Sequence, residues 1–254
     1  MRQSGQGETR SHPLTLRNTL RELLALPKVI GNPLRPALRS ASFGAGRPVL
    51  VIPGLLTGDI STSFLRRSLS LAGFCAYGWE QGINTGANPA KLAALEARVS
   101  ELRREHGKKA TVIGWSLGGL YARVLAQRME ADVAMVMTIA SPFSGDPHAN
   151  RAWRLYELLN DHSVDNPPFA EDLAQKPAVP TIAIWSAVDG VVSPECTLGK
   201  ESESDFRIRV DAQHFALGSS GWCVGRILEI LAEFSPPNDP VKDNPQLKLS
   251  PGAC

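Results

Sequence analysis

The feature that most constrains this chain is an alternation: short apolar runs rich in Val and Ile recur with amphipathic helical stretches between them. The runs are "RPVLVIPG", "CAYGWEQG", "KATVIGWS", "ADVAMVMTIASP", "VPTIAIWS" and "DFRIRVDAQH". Short continuous apolar runs bounded by turn residues read as strands buried on both faces. The first helical stretch is "STSFLRRSLSLAGF", which opens on Ser/Thr cap candidates, and the second is "NPAKLAALEARVSELRREHG", with Pro89 near its start and Gly107 past its end. "LGGLYARVLAQRME" and the closing "GWCVGRILEILAEF" complete the set. Parallel strands need long crossovers, which helices supply, so the pattern predicts an α/β fold with a mostly parallel sheet covered on both faces. A length of 254 residues with 43% hydrophobic content suits one domain of that kind.

The pattern divides the chain into residues 1–46, 47–234 and 235–254. The first part is polar and then carries leucines at helical spacing from Leu14 to Ile30, a helical arm that "GNPLRPALRS" breaks into an irregular crossing. The second holds the strands, with an insertion over 143–179 that is polar and Pro-rich around one helical segment, "RAWRLYELL". An insertion of that length inside a compact domain is more often functional than structureless. The third, "SPPNDPVKDNPQLKLSPGAC", has the prolines and charges of an extended or disordered tail.

The formal net charge is +2, and the basic cluster "LRREHGKK" sits at an expected helix end, where cations complement the helix dipole. No nucleic-acid partner is expected from it. No run approaches the roughly 18 apolar residues of a membrane span, and no secretory apolar core is visible near the start, so the expectation is a cytoplasmic chain with no membrane span. Four cysteines without paired metal-ligand spacing point to neither a disulfide scaffold nor a metal site. Reduced thiols are the default reading, with a single Cys196–Cys223 bridge as the alternative, and Cys75 reads as a buried residue at a strand start.

The chemistry-bearing motif is Gly114-Trp115-Ser116-Leu117-Gly118, a G-x-S-x-G pattern. It is meaningful only between a strand and a helix, and "KATVI" and "LYARVLAQRM" supply both. A serine on so sharp a turn strains its backbone, and side chains two positions to either side would strike neighbouring backbone, hence the glycines. The competing reading is a plain helix cap. A hydroxyl nucleophile needs a base, and the base needs an orienting group. Of five histidines, His214 in "VDAQHFALG" follows the last apolar strand, where a base reaches the C-terminal edge of the sheet. Asp189 in "SAVDGVVSPE" follows the fifth strand and is the candidate orienting acid, with Asp211 as local rival and Asp161 and Asp165 as weaker ones. An oxyanion requires placed donors; the backbone amides of Leu117, at the helix start, and Leu55, in "IPGLLTGD", are the candidates.

The order Ser116, Asp189, His214, each after its own strand, resembles the α/β-hydrolase superfamily, and within it the bacterial lipase and carboxylesterase branch. "VLVIPGLL" is similar to that branch's oxyanion-loop strand, "VIGWSLGGLYAR" to its nucleophile elbow, "IASPFSG" to its loop after the next strand and "SAVDGVV" to its acid turn. The resemblance spans roughly Arg47 to Phe234 and implies an α/β-hydrolase fold with a short lid or cap. It also implies hydrolysis of carboxylic esters of short to medium acyl chains through an acyl-enzyme, without metal or organic cofactor, on a small-molecule or lipid ester. An acyltransferase, amidase or lipid deacylase would use the same three residues, and a non-catalytic module would keep only the scaffold. Where many relatives have His-Gly in the oxyanion loop, this chain has Pro53-Gly54. Leu56, Trp115, Phe143 and the "RAWRLYELL" face are candidates for the substrate pocket, and Asn84 in "GWEQGINTGAN" falls on the same edge.

Overall fold

In the computed structural model, which describes Glu22 and residues 34–234, the apolar runs form a six-stranded sheet in the order β2-β1-β3-β4-β5-β6. The strands are β1 (Pro48–Ile52), β2 (Cys75–Tyr77), β3 (Ala110–Trp115), β4 (Val133–Ile139), β5 (Thr181–Trp185) and β6 (Phe206–Arg209). Every pairing is parallel, with Ile52 opposite Gly114 and Trp115 opposite Ile139. The helices are α1 (Asp59–Leu71), α2 (Pro89–His106), α3 (Leu117–Arg128), α4 (Trp153–Leu159), α5 (Pro194–Leu198), α6 (His214–Leu217) and α7 (Gly221–Phe234).

Strand periodicity sorts the core into two layers. Val49 and Val51 of β1 pack with Phe64, Leu65 and Leu69 of α1 and with Val224, Ile227 and Leu231 of α7. Leu50 and Ile52 face the other way, onto Leu92, Leu95 and Val99 of α2 and Tyr121, Val124 and Leu125 of α3. All four β1 side chains are fully buried, as a strand covered on both faces requires.

Two helix starts show how local chemistry sets boundaries. α2 begins as expected, with the Asn88 side chain accepting from the Ala90 and Lys91 amides and Pro89 in the first turn, and it ends at Gly107 in the left-handed region. α1 does not use a Ser/Thr cap: it starts at Asp59 after Gly58, and no side chain caps it. The Asp59 carboxylate instead accepts from the Trp79 and Glu80 amides and ties the helix start to the segment after β2.

After β1 the chain lays β2 on one side, then crosses back over β1 to place β3 on the other and continues to β6. The winding direction reverses between β1 and β3, which opens a crevice beyond their C-terminal ends. The turn after β1 and the turn after β3 meet there. The segment between β4 and β5 roofs the crevice with a 3-10 turn (Pro147–Ala149), α4 and loops.

The arm over Leu14 to Ile30 and the tail from Ser235 lie outside the described residues, except for Glu22, which is helical and buried. Cys196 and Cys223 are free and buried, so the bridge weighed between them does not form. Cys75 opens β2 and is buried, as expected. No described helix is long and apolar enough to cross a membrane.

Candidate active site

Ser116 stands between β3 and α3 with φ 52° and ψ −123°, a strained conformation for a residue with a side chain. Such backbone costs about 1–3 kcal/mol and persists only where the surroundings impose it. They do so by crowding: a Cβ on Gly114 would lie 2.3 Å from the Gly118 carbonyl oxygen, and one on Gly118 would lie 2.3 Å from that of Ile52. No other residue fits either place, and the serine is lifted off the sheet edge as a result.

Three elements remote in sequence meet at that serine. His214, the first residue of α6, brings Nε2 to 3.0 Å from Ser116 Oγ. Its Nδ1 lies 2.8 Å from Asp189 Oδ2, in the loop after β5. The other Asp189 oxygen accepts from the Val191 and Val192 amides at 2.8 and 2.9 Å, so the carboxylate is fixed before it meets the ring. Asp189 and His214 are each 2% exposed. Asp211, the rival acid, faces away and pairs with Arg209, while Asp161 and Asp165 lie beside His162 and His148.

Burial alone would pull the His214 imidazolium below its ordinary range, but the charge of Asp189, its hydrogen bond and the charge of Glu22 together reverse this, and the net shift is upward. With Nδ1 donating to Asp189, Nε2 is free to accept the Ser116 proton.

The oxyanion-loop candidates fall next to Ser116. A Cβ on Gly54 would lie 3.1 Å from Ser116 Cβ and 3.8 Å from its Oγ, which places this turn directly over the serine. Leu55 and Leu117 line a cavity together with Ser116, and among the described residues neither backbone amide is taken up by a hydrogen bond. The loop is held by Asn84, whose Nδ2 donates to the Pro53 carbonyl at 2.8 Å, whose amide donates to Thr57 and whose carbonyl accepts from Leu56. Asn84 is fully buried, a bracing role that its polar, glycine-rich neighbourhood concealed.

The cavity has a volume of about 400 Å³ and runs from Ser116 beneath the β4–β5 insertion. Phe143, Trp153, Tyr156 and Phe169 supply its aromatic walls, and Asp165 and Asp172 lie on its lining. Phe143, one of the pocket candidates, thus lines this cavity. Two other pocket candidates do not. Trp115 points to the opposite face of the sheet, packs beside the His214 and Phe215 rings at 6.1 and 6.4 Å, and belongs to the core. Leu56 is 46% exposed and does not line the cavity. On α4 the aromatics Trp153 and Tyr156 face the cavity, whereas Leu155, Leu158 and Leu159 are exposed.

The roof is tied down by a buried cation. Arg123 of α3 donates from Nε to the Leu173 carbonyl at 2.5 Å and from Nη2 to those of Ala174, Gln175 and Glu203 at 3.1, 3.0 and 2.9 Å. Its guanidinium carbon also lies 4.2 Å from the Phe143 ring centre. Burial lowers its pKa to about 10, so it remains a cation at neutral pH. No group of three or more His, Cys, Asp or Glu side chains among the described residues could hold a metal ion.

No family model matches the chain and no curated protein matches it in sequence. Its structure is similar to that of the naproxen esterase (carboxylesterase NP) from Bacillus subtilis, with a TM-score of 0.51 and 12% identity over 86% of this chain and 100% of that one. It is also similar to an esterase from Pyrobaculum calidifontis, with a TM-score of 0.55 and 12% identity over 85% of this chain and 89% of that one. For an esterase from Pyrococcus furiosus the TM-score is 0.54 and the identity 16%, over 76% of this chain and 85% of that one. At these identities the likeness is one of fold.

Proposed function

We propose that this chain, which has the α/β-hydrolase fold, is a serine carboxylesterase that hydrolyses carboxylic esters of short to medium acyl chains. The observation that carries the reading is the unbroken relay from Asp189 through His214 to Ser116, whose serine end opens on the cavity. The esterase activity of the structural neighbours supports it by analogy.

In this reading Ser116 Oγ attacks the ester carbonyl carbon while His214 Nε2 takes the hydroxyl proton. The oxyanion forms where the Leu55 and Leu117 amides converge, at the N-terminus of α3, whose dipole favours negative charge. Asp189 holds the ring in the tautomer that can accept, and stabilises the imidazolium that results. As the tetrahedral intermediate collapses, His214 returns its proton to the departing alkoxide and Ser116 keeps the acyl group. Water enters, gives a proton to His214 and attacks the acyl carbon, and the acid leaves as Ser116 regains its hydrogen.

A cavity of about 400 Å³ lies toward the small end of ligand sites, roughly 300–1,000 Å³. Its aromatic walls suit a compact apolar acyl or alcohol group better than a long chain. Turnover of nitrophenyl esters from acetate to decanoate tests the proposal. We expect a maximum at short to medium chain length and loss of turnover in Ser116→Ala; equal turnover in that variant would refute it. Competing alcohol and amine acceptors in the same assay separate hydrolysis from acyl transfer.

A further inference from the structure

A second buried carboxylate stands behind the relay, contributed by a residue far outside the core domain's strands. Glu22 is 2% exposed. Its Oε1 accepts from the Gly190 amide at 2.9 Å and from the His214 amide at 2.7 Å, and its Oε2 accepts from the Phe215 amide at 3.2 Å. Gly190 directly follows the acid, and His214 is the base. One carboxylate thus bridges the two loops whose separation sets the Asp189–His214 contact, across 168 and 192 residues of sequence.

We propose that Glu22 is a positioning residue for this relay: it joins the acid loop to the base loop and adds a second negative charge behind the imidazole. The proposal rests on the hydrolase reading for its kinetic consequences, but not for its geometry.

The chemistry follows from what the carboxylate faces. Among the described residues no Lys or Arg pairs with it. Its charge is met by three backbone N–H groups and, among the described residues, by the charge of His214. Beyond that ring the next ionisable group is Asp189, on the far nitrogen. Burial raises the Glu22 pKa, and the amides of His214 and Gly190, the His214 charge and the Phe215 amide pull it only part of the way back, so the net shift is upward. Burying a carboxylate away from water is expensive. The site recovers part of that cost when His214 becomes an imidazolium, because the two opposite charges then stabilise each other. His214 gains its proton in the step where Ser116 attacks. Glu22 therefore favours the protonated ring at the point in the reaction where it forms, without touching substrate: it does not line the cavity.

The test uses Glu22→Gln, which keeps the shape but removes the charge and leaves an amide donor facing one of the backbone N–H groups. Hydrogen bonds to charged groups contribute about 1.5–3 kcal/mol, so kcat should fall about tenfold to a hundredfold with KM unchanged. The His214 imidazole resonances, assigned by their loss in His214→Ala, should titrate about half a unit to one unit lower than in the unaltered protein. Glu22→Asp retains the charge with a shorter reach; it should lower kcat but leave the titration midpoint close to that of the unaltered protein. A Gln variant with unaltered kcat and midpoint overturns the proposal, as does one that only melts at lower temperature. If Glu22→Gln does not fold, a midpoint in Glu22→Asp that falls by half a unit or more overturns it. The titration needs no substrate, so failure of the hydrolase reading, seen as equal turnover in Ser116→Ala, is recorded separately.

Discussion

Gly54→Ala separates the geometry of the nucleophile from the stability of the fold. Gly54 is not among the glycines at positive φ, so alanine can adopt its backbone without strain. Replacing glycine at a compatible position stabilises by about 0.4–1 kcal/mol through the unfolded chain. Against this, the new methyl would sit 3.1 Å from Ser116 Cβ and 3.4 Å from the Trp115 carbonyl oxygen, closer than the roughly 3.5–4.0 Å carbon atoms prefer. Overpacking of this order costs about 1–3 kcal/mol. The net is a loss of up to about 2.5 kcal/mol, a fall in Tm of no more than about 10 °C for a domain of this size.

The effect on turnover is of a different order. The same methyl would lie 3.8 Å from Ser116 Oγ, on the turn whose Leu55 amide is the proposed oxyanion donor. A substrate carbonyl must approach the hydroxyl to about 3–3.5 Å, and a misplacement of about 1 Å costs on the order of a hundredfold. kcat/KM for nitrophenyl butyrate should therefore drop about a hundredfold in a protein that still melts cooperatively. The reasoning is refuted if kcat/KM stays within about twofold of the unaltered enzyme, for the carbonyl then does not pass over Gly54.

The net upward shift of the His214 pKa sets the pH profile: the base works only when neutral, so kcat/KM should rise with pH along a limb whose midpoint lies above histidine's ordinary value of about 6.5. The same shift makes a signed contribution to stability, fully present below the unfolded-state pKa and lost as pH rises through the higher folded-state value, which thermal melts across that interval should show. Arg123→Met keeps the stem but strips the donors from the carbonyls of Leu173, Ala174, Gln175 and Glu203. The Gln175 carbonyl keeps the Gln127 Nε2 donor and the Glu203 carbonyl keeps the Ser204 hydroxyl, so orphaning those of Leu173 and Ala174 at about 1 kcal/mol each predicts a loss of about 2 kcal/mol, read as a fall in Tm of about 4–8 °C; a change below about 2 °C would contradict it.

The meeting of Ser116, His214 and Asp189 was legible because each obeys local rules. Ser116 needs a strand before it, a helix after it and glycines at Gly114 and Gly118; Asp189 and His214 each follow an apolar strand and fall in the right order. Trp115 was misread because adjacency in sequence is not adjacency in a strand: it shares the face of Ile113, and that parity sends it into the α1/α7 layer, away from the cavity. Leu56 takes a left-handed backbone at φ 57° and is exposed, which its sequence neighbourhood did not reveal. Asn84 and Glu22 act over long sequence separations, through backbone amides and carbonyls that carry no residue signature. A lone acid amid "LRELLAL" was the one trace of Glu22, and on an amphipathic helix such a residue ordinarily faces water.

α3 begins immediately after Ser116, and its buried arginine grips the far wall of the cavity. Floor and ceiling of the chamber are thus mounted on one strut. In the proposed reaction, a bulky ester that wedges the ceiling upward must pull on the same helix whose first amide is to meet the oxyanion. Selection by size then acts twice, once on entry and again on the rate of attack, so oversized esters should lose kcat as well as affinity.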